Sequence, residues 1–192
     1  TQTAQLIIHL NSDCTFGYRT SLFKLDKTRY IISSVQFVLQ KQPIFRTEYG
    51  AIKEVLHLKN NKKPSLEAIS NAVVQIRSEK FPDPKKLGNA GSFFKNPSIT
   101  KDLYEVLATK YPKIIAYPIT DDTYKIAAGW LMEACGWKGI QKGSVGCYEK
   151  QSLVIVHYNN GPGMEIYNFS EEIIQSVFVK FGILLEREVV IY

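Results

Sequence analysis

Residues 88–97 read GNAGSFFKNP, and this stretch stands between two differently patterned parts of the chain. Two glycines bracket Asn89 and Ala90, and Ser92 follows in a loop tight enough to expose its hydroxyl beside backbone N–H groups. Such a loop suits an anion or a developing oxyanion. It suits equally well a turn whose serine only satisfies its own backbone, and the residues alone leave both readings open. The stretch is not a GxSxG nucleophile elbow, and no histidine lies nearby in sequence to activate Ser92, so covalent acyl chemistry is disfavoured.

Working outward from that loop, FPDPKKLGNAG at 81–91 carries two prolines and two glycines and makes the best internal boundary. Upstream of it, Leu66, Ile69, Val73 and Ile76 recur at three- and four-residue spacing behind Ser65, which predicts a helix ending near Lys80. Earlier still, QLIIHL at 5–10 and RYIISSVQFVLQ at 29–40 read as strands, separated by the Gly17 turn in FGYRTS. Residues 40–64, with Pro43, Gly50 and NNKK, read as a long excursion and a candidate lid.

Downstream, a helix is predicted from Thr100 to about Tyr111 and a short one over AAGWLMEACG, closed by Gly136. SLVIVHY at 152–158 reads as a strand. The last helix, about 164–181, shows Ile166, Phe169, Ile173, Val177 and Phe181 along one face and stops at Gly182. The chain finishes on an extended run, ILLEREVVIY. Strands do not strictly alternate with helices and several look hairpin-linked, which indicates an α+β fold.

The 192 residues suffice to bury a core, and 45% hydrophobic with 22% charged residues describes an ordinary globular chain. Cys14, Cys135 and Cys147 lack metal-ligand or CxxC spacing, and His9, His57 and His157 are far apart, so none is assigned a catalytic or ligating role. No apolar run is long enough for a membrane span, and the first residues lack a signal core. The net charge of +6 favours anionic partners, but the lysines are scattered, and no glycine-rich dinucleotide fingerprint or P-loop is present.

FPDPKKLGNAGSFFKNP resembles the signature of the UDP-N-acetylenolpyruvoylglucosamine reductase (UDP-N-acetylmuramate dehydrogenase) family. FGYRTSLFK at 16–24, KIAAGWLMEACGWKG at 125–139, EKQSLVIV at 149–156 and FGILLEREVVIY at 181–192 are similar to that family's segments, in its order. The resemblance implies a FAD-dependent, NADPH-using reduction of UDP-N-acetylglucosamine enolpyruvate to UDP-N-acetylmuramate, in cytoplasmic peptidoglycan synthesis, by a monomer without nucleic-acid or membrane partners. It further implies that residues 1–82 and 184–192 are the second half of a FAD-binding domain and 83–183 the substrate domain. The family's N-terminal flavin-holding region is then absent, and the fragment by itself is expected to be inactive.

Ser92 matches the family's serine that protonates the substrate carbon next to the one receiving hydride. Arg19 matches the arginine that steadies the developing enolate, and Glu188 the catalytic glutamate, with Glu186 predicted to share its strand face. The resemblance also implies substrate contacts for Tyr18, Tyr49, Lys80, Asn96, Tyr117 and Gln151. Read without it, Arg19 is a surface salt-bridge residue and Lys80 a helix-terminal lysine complementing the macrodipole. The final strand departs from the family's EPEVR: Arg187 replaces the proline and Val190 the arginine. Two rival readings are a non-catalytic UDP-sugar-binding module and, from charge alone, a nucleic-acid-binding protein, which lacks any recognised motif.

Overall fold

The computed structural model describes residues 5–26, 28–48, 51–58, 65–158 and 161–191. The chain divides into two compact units, Thr1–Pro43 and Ile44–Tyr192.

In the first unit, a 3-10 turn at Asn11–Cys14 and a single helical turn, α1 (Leu22–Leu25), are the regular elements. His9, Phe23 and Tyr30 meet edge to face, with ring centroids 5.3 to 5.6 Å apart. The segments 5–10 and 29–40, expected as strands, form no hydrogen-bonded ladder among the described residues. Their composition suits a sheet, but a strand exists only where a second backbone edge accepts its N–H and C=O groups.

The second unit opens with α2 (Ile52–Leu58) lying against α3 (Leu66–Lys80), so the stretch expected as a free lid contains a helix. Ser65 caps α3 as predicted, its hydroxyl accepting from the Ala68 amide at 3.1 Å. From residue 88 the chain builds two antiparallel sheets. The four-stranded sheet runs in the order β1 (Gly88–Ser92), β7 (Gln151–His157), β6 (Val145–Tyr148), β5 (Gln141–Lys142). The three-stranded sheet runs β2 (Ser98–Thr100), β4 (Thr123–Ile126), β3 (Ala116–Thr120). Strands β3–β4 and β6–β7 are hairpins, and with the helices they establish the α+β class.

Helix α4 (Lys101–Lys110) starts at Thr100, whose hydroxyl accepts from the Leu103 amide. Helix α5 (Ala128–Ala134) ends with the Trp137 amide bonded back to the Met132 carbonyl at 3.0 Å and Gly136 to Glu133 at 2.9 Å, a closure that satisfies its last carbonyls. Helix α6 (Gly163–Phe181) buries Phe169, Ile173, Val177 and Phe181, four of the five residues of the predicted stripe, and the fifth, Ile166, is half-buried against the same core. That stripe joins Phe93, Phe94, Ile126, Leu131, Met132, Val145 and Ile155 in one core. Each such fully buried apolar side chain contributes about 1.5–3 kcal/mol relative to exposure.

Candidate active site

The stretch at 88–92, expected as a loop, is a strand carrying a bulge. Asn89 pairs with Val156 and Ser92 with Val154, so β1 spends one residue more than β7 over the same span. Gly91 supplies the extra residue at φ +74°, a conformation that a side chain would strain. The Asn89 side chain holds the bulge from both ends: Nδ2 donates to the Leu87 carbonyl at 2.9 Å, and Oδ1 accepts from the Gly91 amide at 3.1 Å. The bulge re-aims Ser92, which lies half-buried at its C-terminal end.

The next residue, Phe93, links three parts of the backbone. Its amide donates to the Leu153 carbonyl of β7 at 2.9 Å, and its carbonyl accepts from the Glu188 amide at 2.8 Å. Lys95 then donates to the Glu186 carbonyl at 2.9 Å, and Phe94 bridges to Arg187. The run 186–188 thus pairs with residues 93–95 through an isolated antiparallel bridge just past β1, and Glu188 lies one backbone hydrogen bond from the residue after Ser92. Glu186 is exposed and ion-pairs with Lys95. Ile183 and Leu185 are buried and Leu184 and Glu186 exposed; Glu188, expected on the Glu186 face, is half-buried, as are its neighbours Arg187 and Val189.

Asn96 and Gln151 are drawn to the same neighbourhood through α5. The Asn96 Oδ1 accepts from the Ala128 amide at 2.9 Å, so it caps a helix whose own N-cap residue, Ala127, supplies no side-chain oxygen. Gln151 opens β7, and Gly129 of α5 faces it: a Cβ at that position would lie 3.4 Å from Gln151 Oε1 and 3.5 Å from Ser152 Oγ. These are ordinary contact distances, so α5 packs directly on the start of β7 at this point. Ser152, fully buried, donates its hydroxyl to the Gly129 carbonyl at 2.9 Å and holds the contact.

Tyr117 lies on the second sheet, 52% exposed, with Lys125 as its cross-strand partner and Ser98 on the far side of Lys125. The chain passes from Asn96 to Ser98 in two residues, so this row follows directly on the first sheet. Lys80 is exposed at the last position of α3, where its charge complements the helix C-terminus. Tyr49 lies outside the described residues. In the first unit, Tyr18 and Arg19 form the tip of a tight turn in which Gly17 and Thr20 exchange backbone hydrogen bonds at 3.1 and 3.4 Å. Arg19 has φ 55°, the left-handed region that a non-glycine residue occupies at a cost of about 1 kcal/mol or more. Lys24 steadies this turn by donating to the Arg19 carbonyl at 3.3 Å.

Sequence reasoning missed the partners of Lys95 and Arg187. The signal for Arg187 was present: in ILLEREV the alternation assigns its position to the buried side, and a charge there needs partners.

The family model for UDP-N-acetylenolpyruvoylglucosamine reductase, C-terminal domain, matches residues 83–192. Among curated relatives, the UDP-N-acetylenolpyruvoylglucosamine reductase of Pseudomonas putida is 41% identical over 191 residues, covering 100% of this chain and 56% of the relative. That of Flavobacterium johnsoniae is 43% identical over 190 residues, covering 98% of this chain and 56% of its own length. That of Bdellovibrio bacteriovorus is 39% identical over 188 residues, covering 97% and 55%. The chain therefore spans a little over half the length of these relatives. With the family's C-terminal domain matched over more than half of its residues, this chain belongs to the UDP-N-acetylenolpyruvoylglucosamine reductase family.

Proposed function

We propose that this chain supplies the substrate side of a reductase that converts UDP-N-acetylglucosamine enolpyruvate to UDP-N-acetylmuramate in peptidoglycan synthesis. Residues 83–183 serve as its substrate domain, and 1–82 with 184–192 as part of a FAD domain. The observation that carries the reading is the backbone junction at Phe93, where the Ser92 bulge meets β7, which Gln151 opens, and the terminal run holding Glu188.

The chemistry asked of these residues is modest. A reduced flavin, replenished by NADPH, supplies a hydride when bound. Hydride addition to the terminal carbon of the enolpyruvyl double bond leaves an enolate at the neighbouring carbon, and the Ser92 hydroxyl gives that carbon a proton. The alkene thereby gains one hydride and one proton, and the serine alkoxide recovers its proton from solvent. An enolate is basic enough to take a proton from a neutral hydroxyl, so no strongly acidic group is needed. Arg19 offers a permanently charged planar guanidinium to the developing negative charge, and Glu188 acts beside Ser92. Tyr18, Tyr49, Lys80, Asn96, Tyr117 and Gln151 hold the UDP-sugar.

Among the described residues there is no cradle for a flavin diphosphate. The positive-φ glycines, Gly91, Gly136, Gly139, Gly143 and Gly182, close a bulge, turns and helix C-terminal ends, and none opens onto a helix N-terminus. The same observation favours a second reading, a non-catalytic module that binds the UDP-sugar. Its expected working state is a monomer in the cytoplasm without nucleic-acid partners. No helix among the described residues is long and apolar enough to cross a membrane.

Ser92→Ala tests the assignment. In the flavin-loaded enzyme, turnover of the enolpyruvyl substrate should fall by about 10²–10⁴-fold, the usual worth of a positioned proton donor, while flavin reduction by NADPH persists. Equal loss of both half-reactions makes Ser92 structural. Calorimetry of the 192-residue chain with UDP-N-acetylglucosamine derivatives tests the binding reading, and absence of heat counts against both.

A further inference from the structure

From Ile183 to Glu186 the terminal run alternates between core and solvent, and Arg187, Glu188 and Val189 are half-buried. Ile183 and Leu185 are each 3% exposed and Val189 packs on the core, whereas Leu184 and Glu186 face outward. Arg187 falls in the inward series, with its side chain only 18% exposed. A guanidinium at such a position is tolerable only if its donors are satisfied. They are satisfied by one turn of α6. Arg187 Nε donates to the buried Ser170 Oγ at 2.9 Å, Nη2 donates to Glu171 Oε1 at 2.6 Å, and the guanidinium carbon lies 4.6 Å from the centre of the Tyr167 ring. Ser170 in turn donates to the Tyr167 carbonyl at 2.6 Å, so its hydroxyl is held in place to receive the arginine.

We infer that Arg187 is a positioning residue: by locking the terminal run to α6 through Ser170, Glu171 and Tyr167, it sets the register that holds Glu188, half-buried, beside Phe93. The inference rests on the proposed catalytic role of Glu188, and its physical core is the period of an extended chain. A slip of one residue would exchange the inward and outward sets, carrying Glu188 to the core side and Arg187 out to solvent. The pairing with residues 93–95 is short, an isolated antiparallel bridge just past β1. Its two backbone bonds, Glu188 N to Phe93 O and Lys95 N to Glu186 O, leave register weakly specified by hydrogen bonding alone. A fork that only one register can seat in Ser170 and Glu171 supplies the missing specificity.

The clamp can be removed without stranding a buried group. In Arg187→Met the aliphatic stem still packs, Ser170 keeps its bond to Tyr167, and Glu171 is left in solvent, so the fold survives. Amide hydrogen exchange on the 192-residue chain should then rise at least tenfold at Glu188 and Lys95. Exchange at Phe93, whose amide bonds to β7 instead, should stay unchanged. Arg187→Lys keeps the charge but cannot reach both partners, and it should recover part of the protection. Unchanged exchange at Glu188 in Arg187→Met, or loosening that spreads equally to Phe93, overturns the clamp.

The consequence for chemistry is read separately. In the flavin-loaded enzyme, Arg187→Met should lower kcat with little change in KM and none in flavin reduction, and Arg187→Lys should restore part of it. An unaltered kcat overturns the positioning role. Should Glu188→Gln retain full turnover while Arg187→Met loosens the strand, the catalytic reading of Glu188 fails and the clamp stands.

Discussion

Two segments of this chain are almost alike in composition and unlike in structure. RYIISSVQFVLQ at 29–40 and QSLVIVH at 151–157 are both rich in branched apolar residues. The second is β7, bonded to β1 on one edge and β6 on the other, with Val154 and Val156 fully buried. In the first, Ile31 is 98% and Val38 100% exposed, and no ladder forms among the described residues. Branched side chains make both segments ready for a sheet. What separates them is whether another backbone edge and a covering layer are at hand, which is a property of the surroundings and not of the segment.

The sharpest way to break the comparison is to hollow out the side that is covered. Phe94, 1% exposed beneath the terminal run, should cost about 3–5 kcal/mol on truncation to alanine, measured by urea denaturation. Cys147 gives the same experiment a local reading. Burial pushes its thiol up to about 12, so a thiol reagent at neutral pH should label it only when β6 opens, and faster in Phe94→Ala. A smaller effect is expected at Asn96, which caps α5 from outside the helix. Asn96→Ala should cost about 0.5–2 kcal/mol and raise amide exchange at Ala128.

Smaller still is an effect of acid on the terminal run. The hydrogen bond from Arg187, and after it that from Tyr167, hold the Glu171 carboxyl below its ordinary range. A carboxylate whose folded pKa is depressed stabilises the fold fully above its unfolded value and loses that contribution as pH falls through the lowered one. From about pH 4.5 downward, therefore, protection of the Glu188 amide relative to its intrinsic exchange rate should fall before β7 loosens, and Glu171→Gln should abolish that pH dependence. At the bottom of the scale, Phe37→Ala in the exposed segment should change stability by less than about 0.5 kcal/mol. A cost of several kcal/mol there would mean that the segment is covered after all, and the contrast with β7 would dissolve.

Much of the second unit was legible from spacing alone. The Ser65 cap, the start of α4 at Thr100, the apolar stripe of α6 and its stop at Gly182 all act over a few neighbouring residues, and sequence spacing reports them directly. The GNAGSFFKNP stretch was legible as a family signature but not as a shape. A bulged strand and a loop share glycines and an asparagine, and only the β7 edge decides between them. Asn96 showed the same limit: nothing in sequence indicates that its oxygen caps a helix starting 32 residues later.

By itself, the sequence determined the α+β class, the helices α3, α4 and α6 and the family, because local spacing and an ordered set of near-neighbour motifs carry that information. Tertiary structure alone decided which apolar segments became strands, how Phe93 joins Ser92's strand to Glu188's, and what Arg187 does in place of the family's proline. Those outcomes depend on contacts across 16 or more residues, such as Arg187 with Glu171 and Lys95 with Glu186 91 positions away. Hydrogen-bond partners that far apart in the chain are chosen by the packed core between them, and a pattern read along the chain does not contain that choice.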